Sequence, residues 1–304
     1  MASIKERNNK YCVIYSYYDE HGKRKQKWET YADRSDAERR KKEIEYKASL
    51  GHLVISQCRT MKELLEEYVN LYGKDKWALS TYSGNISLIN NYILPIIGET
   101  KLTDINTRFL EVYYQKLLKT PSVPTMTPRK NETGCASTST VRDVHKLLRS
   151  CFAQAVKWEI MDKNPAIQAT VPKYKAGKRE IWTAETLFHA TEVCDDNTLK
   201  LAMNLSFAGS LRIGELTGLT WDCVDISPEA IENGSPNIFI NKEYQRVSKE
   251  AVEQLDGKDI ILIFPAESSR CKTLRVLKTP KTESSVRRIY IPRSVAEMLI
   301  RQKE

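Results

Sequence analysis

The chain changes its hydrophobic period twice, and each change predicts a different kind of structure. Over residues 10–31 the side chains alternate with a period of two: Tyr11, Val13, Tyr15 and Tyr17 fall on one side, and Cys12, Ile14, Ser16 and Tyr18 on the other. That pattern predicts strands joined by a turn from Asp19 to Gly22 and ending near Tyr31. A helix is then predicted from Ser35, an N-cap with Glu38 completing a capping box, to about Leu50.

From residue 59 the period becomes 3.6. Thr60 and Glu63 read as a capping box for a helix with the stripe Leu64, Leu65, Tyr68, Val69 and Tyr72, ending at Gly73. Ser80 reads as the cap of a second helix with the face Tyr82, Ile86, Ile89 and Ile93, stopped by Pro95 and Gly98. A third, over residues 107–118, turns Phe109, Val112, Tyr113 and Leu117 inward. Residues 120–138 form a loop. The longest run, 139–158, sets Val141, Val144, Leu147, Leu148, Cys151, Phe152, Ala155 and Val156 against Arg142, Lys146, Arg149 and Lys157. A basic stretch over 171–180, with Lys178 and Arg179 near its end, reads as a linker.

A helix opens at Thr183. Leu199, Leu201, Ala202, Leu205 and Phe207 make the face of the next, which Gly209 and Ser210 break. Ser210 would then cap a helix that starts near Arg212 and buries Leu211, Leu216 and Leu219. Beyond residue 222 the pattern is mostly strand, over 237–242, 260–264, 274–279 and 286–291. The last two are predicted to form a hairpin around Lys281, and 246–259 reads as an insertion. The fold class is therefore multidomain and mainly α: a small N-terminal sheet with one helix (1–58), a helical domain (59–170), the linker (171–180) and an incomplete mixed α+β domain (181–304).

At 304 residues and 41 % apolar content the chain can build several cores. No run of eighteen apolar residues and no signal-peptide core occurs, so a cytoplasmic protein is expected. Seven scattered cysteines without a C-x-x-C pair read as reduced thiols. Histidines at 21, 52, 145 and 189 are too dispersed for a local zinc motif, so neither metal nor cofactor is implied.

The net charge of +9 is unevenly placed: +4 over residues 1–58, +6 over 59–176, −8 over 177–269 and +7 over 270–304. Such a layout suits a polyanion, since neutralising phosphates releases counterions. Lys23, Lys25 and Lys27 share one face of a strand, fit either for a DNA groove or for protecting a sheet edge. Arg212 lies near a helix start, where backbone N–H groups meet an approaching anion, and Glu215 one turn on can orient its guanidinium.

The eleven residues from Leu211 to Trp221 (LRIGELTGLTW) resemble the first signature box of the tyrosine recombinases, the phage and conjugative-transposon integrases. The stretch from Thr279 to Pro292 (TPKTESSVRRIYIP) resembles their second. By this resemblance Arg212 holds the scissile phosphate, Glu215 orients it, and Lys281 on a mobile hairpin protonates the leaving 5′ oxygen, with no metal or nucleotide needed. The order of helices before residue 170 resembles the family's core-binding domain, which implies DNA contacts by Thr81, Tyr82, Arg142 and Lys146. The N-terminal segment resembles its arm-type DNA-binding domain, with contacts by Lys23, Lys25 and Lys27. Lys178, Arg179 and Arg287 complete the implied DNA surface.

The implied partners are a double-stranded recombination site and, at full length, a tetramer of protomers. The family's later His-x-x-Arg helix and nucleophilic tyrosine have no counterpart here, and Tyr290 reads as a sheet residue. Two expectations stand: a recombinase represented without its nucleophile and inactive alone, or a shortened non-catalytic module that occupies recombination sites.

Overall fold

The computed structural model describes residues 2–8, 10–18, 24–49, 59–123, 134–173, 180–266, 268 and 270–304. The chain divides into two compact units, residues 1–71 with 88–174 and residues 72–87 with 175–304. Lys23, Lys178 and Arg179 lie outside the described residues.

In the first unit β1 (Ser3–Arg7), β2 (Lys10–Tyr18) and β3 (Arg24–Tyr31) form an antiparallel sheet in that order. Its core joins Val13 and Tyr15 to Ala37 and Ile44 of α1 (Arg34–Ser49). Ser35 does not cap α1 but lies inside it; the first bond runs from Ala37 N to the Asp33 carbonyl at 3.3 Å. Lys25 and Lys27 are registered opposite Tyr17 and Tyr15, so they share the helix-covered side, and Lys27 is 3.5 Å from Glu29. The two described members of the expected lysine row thus lie on the side that carries the domain's helix, with Lys25 exposed there. Glu29 accepts from Tyr15, Tyr31 and Arg40. Burial opposes its ionisation, but the Arg40 and Tyr15 hydrogen bonds prevail and hold it at about 2.

The capping box ahead of α2 (Met61–Glu67) forms as expected: Glu63 N donates to Thr60 Oγ1 at 3.3 Å and Thr60 N to Glu63 Oε2 at 2.9 Å. The helix does not end at Gly73. It widens into a π turn (Tyr68–Gly73) and runs on through α3 (Lys74–Lys76). Gly73 is there for space: a Cβ on it would lie 2.8 Å from the Trp77 ring.

The helix α4 (Leu79–Leu88) begins one residue before Ser80, which is therefore not its cap, and continues through a π turn (Ile89–Ile93) into α5 (Leu94–Ile97). Pro95 is thus accommodated rather than terminating, because the wide turn ahead of it relieves the clash its ring makes in a regular helix.

Two longer helices complete the unit. α6 (Thr107–Leu117) buries Leu110, Tyr113, Tyr114 and Leu117, an i, i+3, i+4, i+7 stripe, and leaves Val112 63 % exposed rather than inward. α7 (Thr138–Lys157), capped by Ser137, buries Val141, Val144, Leu148, Cys151 and Phe152 and exposes Arg142 and Lys146. Tyr68 Oη donates to Ser150 Oγ at 2.7 Å across this unit.

The second unit, which also holds α3 and all but the last residue of α4, contains α8 (Ala184–Val193), capped by Thr183, and α9 (Asn197–Gly209), capped by Asp196. There follow α10 (Ile213–Thr217), β4 (Val224–Asp225), α11 (Pro228–Glu232), β5 (Asn237–Ile240) and β6 (Glu243–Ser248). The chain closes with α12 (Lys249–Gln254), β7 (Ile260–Ile263), β8 (Thr273–Lys278), β9 (Arg287–Tyr290) and α13 (Arg293–Lys303).

Its strands make two antiparallel sheets, β4-β5-β9 and β6-β8-β7. Strands β8 and β9 therefore do not form the expected hairpin; each is claimed by a different sheet, and residues 279–286 cross between them. The core gathers Leu201, Leu205, Leu211, Ile238, Ile240, Ile291, Val295 and Leu299. Leu199 and Phe207, expected on the buried face of α9, are 51 % and 56 % exposed.

Candidate active site

The site begins where α9 ends. Ser210 takes a left-handed conformation (φ 48°) that terminates α9, so it is a C-cap and not the N-cap expected. Two residues later Arg212 is itself the N-cap of α10. Glu215 supplies the missing cap from the third helical position, accepting from Arg212 N at 3.0 Å. Its other oxygen accepts from the Arg212 guanidinium at 2.8 Å. The side chain of Glu215 is 2 % exposed while that of Arg212 is 72 % exposed, so the guanidinium is anchored at one edge and open at the other.

Glu215 also receives both terminal nitrogens of Arg287, at 3.0 and 2.8 Å. Arg287 donates further to the Ser285 carbonyl at 3.0 Å. The two-pronged grip of Arg287, with Arg212 behind it, holds the Glu215 carboxyl at about 2, far below the usual carboxylate range. Arg287, expected on the DNA surface, is thus engaged within the protein.

The glycines of the first box place α10. A Cβ on Gly218 would lie 2.5 Å from Tyr244 N, and one on Gly214 would lie 3.1 Å from the Tyr244 carbonyl oxygen. Four residues apart on one face of α10, they let the backbone of β6 approach the helix closely. Close approach brings Glu243 and Gln245 of β6 beside Arg212. A cleft of about 390 Å³ results, lined by Arg212, Glu215, Glu243, Lys278, Lys281 and Ser285 among others. Lys281 reaches it from the exposed crossing between β8 and β9.

The remaining candidates are dispersed. Thr81 is exposed; Tyr82 is only 4 % exposed and packs against the Trp77 ring at 6.2 Å, so it offers little surface to a phosphate. Arg142 is exposed, and Lys146 pairs with Asp143 at 2.9 Å. Tyr290 is opposite Asn237 in the β5-β9 ladder and 65 % exposed. The six described cysteines form no disulfide with one another. Among the described residues no helix is long and apolar enough to cross a membrane.

An anchored, outward-facing arginine and a lysine on a strand crossing thus present two cations to one cleft. Residues 60–118 match the phage integrase N-terminal SAM-like domain. A XerC-like tyrosine recombinase of Caldanaerobacter subterraneus subsp. tengcongensis is 26 % identical over 169 residues, covering 54 % of this chain and 38 % of the relative. The Tn1549 transposon integrase, solved in complex with a circular intermediate DNA, superposes with a TM-score of 0.56 at 16 % identity, covering 80 % of this chain and 64 % of the other. The same integrase solved with transposon right end DNA gives 0.55 at 17 % identity over the same shares. The chain thus spans less than two thirds of the length of each relative. By sequence the chain is similar to the tyrosine recombinases, and in fold it is similar to the Tn1549 integrase.

Proposed function

We propose that this chain belongs to a site-specific DNA recombinase that binds, cleaves and rejoins duplex DNA through a 3′-phosphotyrosyl intermediate. In this reading Arg212 binds non-bridging oxygens of the scissile phosphate with the edge of its fork that Glu215 leaves open. A tyrosine oxygen attacks phosphorus, the P–O5′ bond breaks, and Lys281 gives its proton to the departing 5′ oxygen. Glu215 and Arg287 position Arg212 without touching substrate. The observation that carries the proposal is that Arg212 and Lys281, sixty-nine positions apart, line the same cleft.

The domain roles belong to the same proposal: an arm-type DNA-binding domain over 1–58, a core-binding domain over 59–170, a linker over 171–180 and part of the catalytic domain over 181–304. Thr81, Arg142, Lys146, Lys178 and Arg179 remain proposed DNA contacts. Four protomers on two duplexes form the working assembly. Tyr290, whose backbone is held in the β5-β9 ladder, is not assigned as the nucleophile.

A non-catalytic module that occupies recombination sites is the second reading, and the position of Tyr290 in that ladder favours it for this chain in isolation. A nicked suicide substrate tests the assignment. These residues alone should give no covalent protein–DNA band, yet should bind duplex DNA with a steep salt dependence. A covalent band would overturn the placement of the nucleophile, and salt-insensitive binding would overturn the DNA assignment.

A further inference from the structure

The crossing that carries Lys281 is gripped at both ends by a cation that also holds a carboxylate. At its exit Arg287 donates to the Ser285 carbonyl and to Glu215. At its entry Lys278 Nζ donates to the Thr279 carbonyl at 3.0 Å and to Glu243 Oε1 at 3.0 Å. Lys278 is 3 % exposed. Taking an ammonium out of water is costly, and an apolar side chain of similar length would fill the same strand position at no such cost. A cation at the last residue of β8, three before Lys281, therefore calls for a reason other than packing.

Glu243 supplies the reason. It is registered directly opposite Lys278 at the start of β6, and α10 presses against it: a Cβ on Gly218 would lie 2.8 Å from Glu243 Cα, and one on Gly214 3.7 Å from Glu243 Cβ. The carboxylate is thereby tied to the helix whose N-cap is Arg212. We infer that Lys278 and Glu243 form a positioning pair that sets the reach of Lys281 toward the anion held by Arg212. The pair acts through the Thr279 carbonyl and does not touch reacting atoms. The inference rests on the proposed roles of Arg212 and Lys281 as phosphate ligands.

The test is a ³¹P NMR titration of the 304-residue chain with inorganic phosphate, comparing the wild type with Lys281→Met, Lys278→Met, the double variant and Arg212→Ala. Each single substitution should weaken phosphate binding about fivefold or more, and the double variant should be no weaker than Lys281→Met, because a residue acting through Lys281 has nothing to position once Lys281 is gone. Wild-type affinity in Lys278→Met, or a loss that multiplies onto that of Lys281→Met, overturns the inference. If Arg212→Ala and Lys281→Met bind as the wild type does, or the wild type binds no phosphate, the phosphate reading itself fails and takes this one with it. Should Lys278→Met not fold, Glu243→Gln, which keeps an acceptor for Lys278 and removes the charge, carries the same comparison with Lys281→Met.

Discussion

Glu215→Gln removes the one negative charge that two guanidiniums share, and its cost can be worked out from the geometry. The carboxyl is almost fully buried and is held at about 2 instead of 4.5, chiefly by the Arg287 hydrogen bonds and then by Arg212. A displacement of that size corresponds to roughly 3 kcal/mol in favour of the ionised, folded form. Glutamine retains one acceptor, so the expected loss at neutral pH is about 2–3 kcal/mol.

The pH dependence has a fixed sign. Because the folded-state value lies below the unfolded one, the contribution is complete above about pH 4.5 and drains away as pH falls toward 2, leaving less than half of it near pH 3. Urea unfolding of wild type and variant at about pH 7, 5 and 3, followed by tryptophan fluorescence, measures the difference between them. Taking the difference matters, because Glu29 in the N-terminal sheet is also held at about 2 and contributes its own acid sensitivity to both proteins. A gap between wild type and variant as wide at pH 3 as at pH 7 would refute the shared-carboxylate account.

Gly218→Ala should cost about 2–3 kcal/mol, since its methyl would meet Tyr244 N at 2.5 Å and backbone cannot yield as a side-chain tip can. Gly84→Ala, in α4 with nothing within 4 Å, should instead stabilise by about 0.5–1 kcal/mol; thermal melts of the pair check both signs. Ser210→Gly should raise stability by about 1 kcal/mol by relieving a left-handed backbone, whereas Ser210→Val should lower it, and equal melting of the two would sink the C-cap assignment.

How much was legible in the sequence depends on how local the cause is. The Thr60–Glu63 box and the caps at Thr183 and Ser137 need only three residues and an extended entry, and the first of these was read to the residue. The long α7 stripe was clear because seven buried positions repeat with one period. Sheet pairing in the second unit was not legible, because which strand claims β8 depends on β6 and β7 lying beside it, and no adjacent pair of segments encodes that. The error at Ser210 is of another kind: a serine before an apolar run reads as an N-cap, yet the same residue in the left-handed region ends the previous helix, and only the backbone angle distinguishes the two.

Arg287 shows that part of what was missed lay in plain view. It shares strand parity with Ile289 and Ile291, which turn toward the core, while Arg288 and Tyr290 face out. An arginine on the inward parity of a buried ladder calls for a buried acid, and here Glu215, fixed at the start of α10, is that acid. Lys278 follows the same rule, sharing parity with buried Val276 and meeting Glu243. Inward cations at strand ends thus point to the acids that fix this cleft. The same two acids stand with the exposed Arg212 and Lys281 around one cleft.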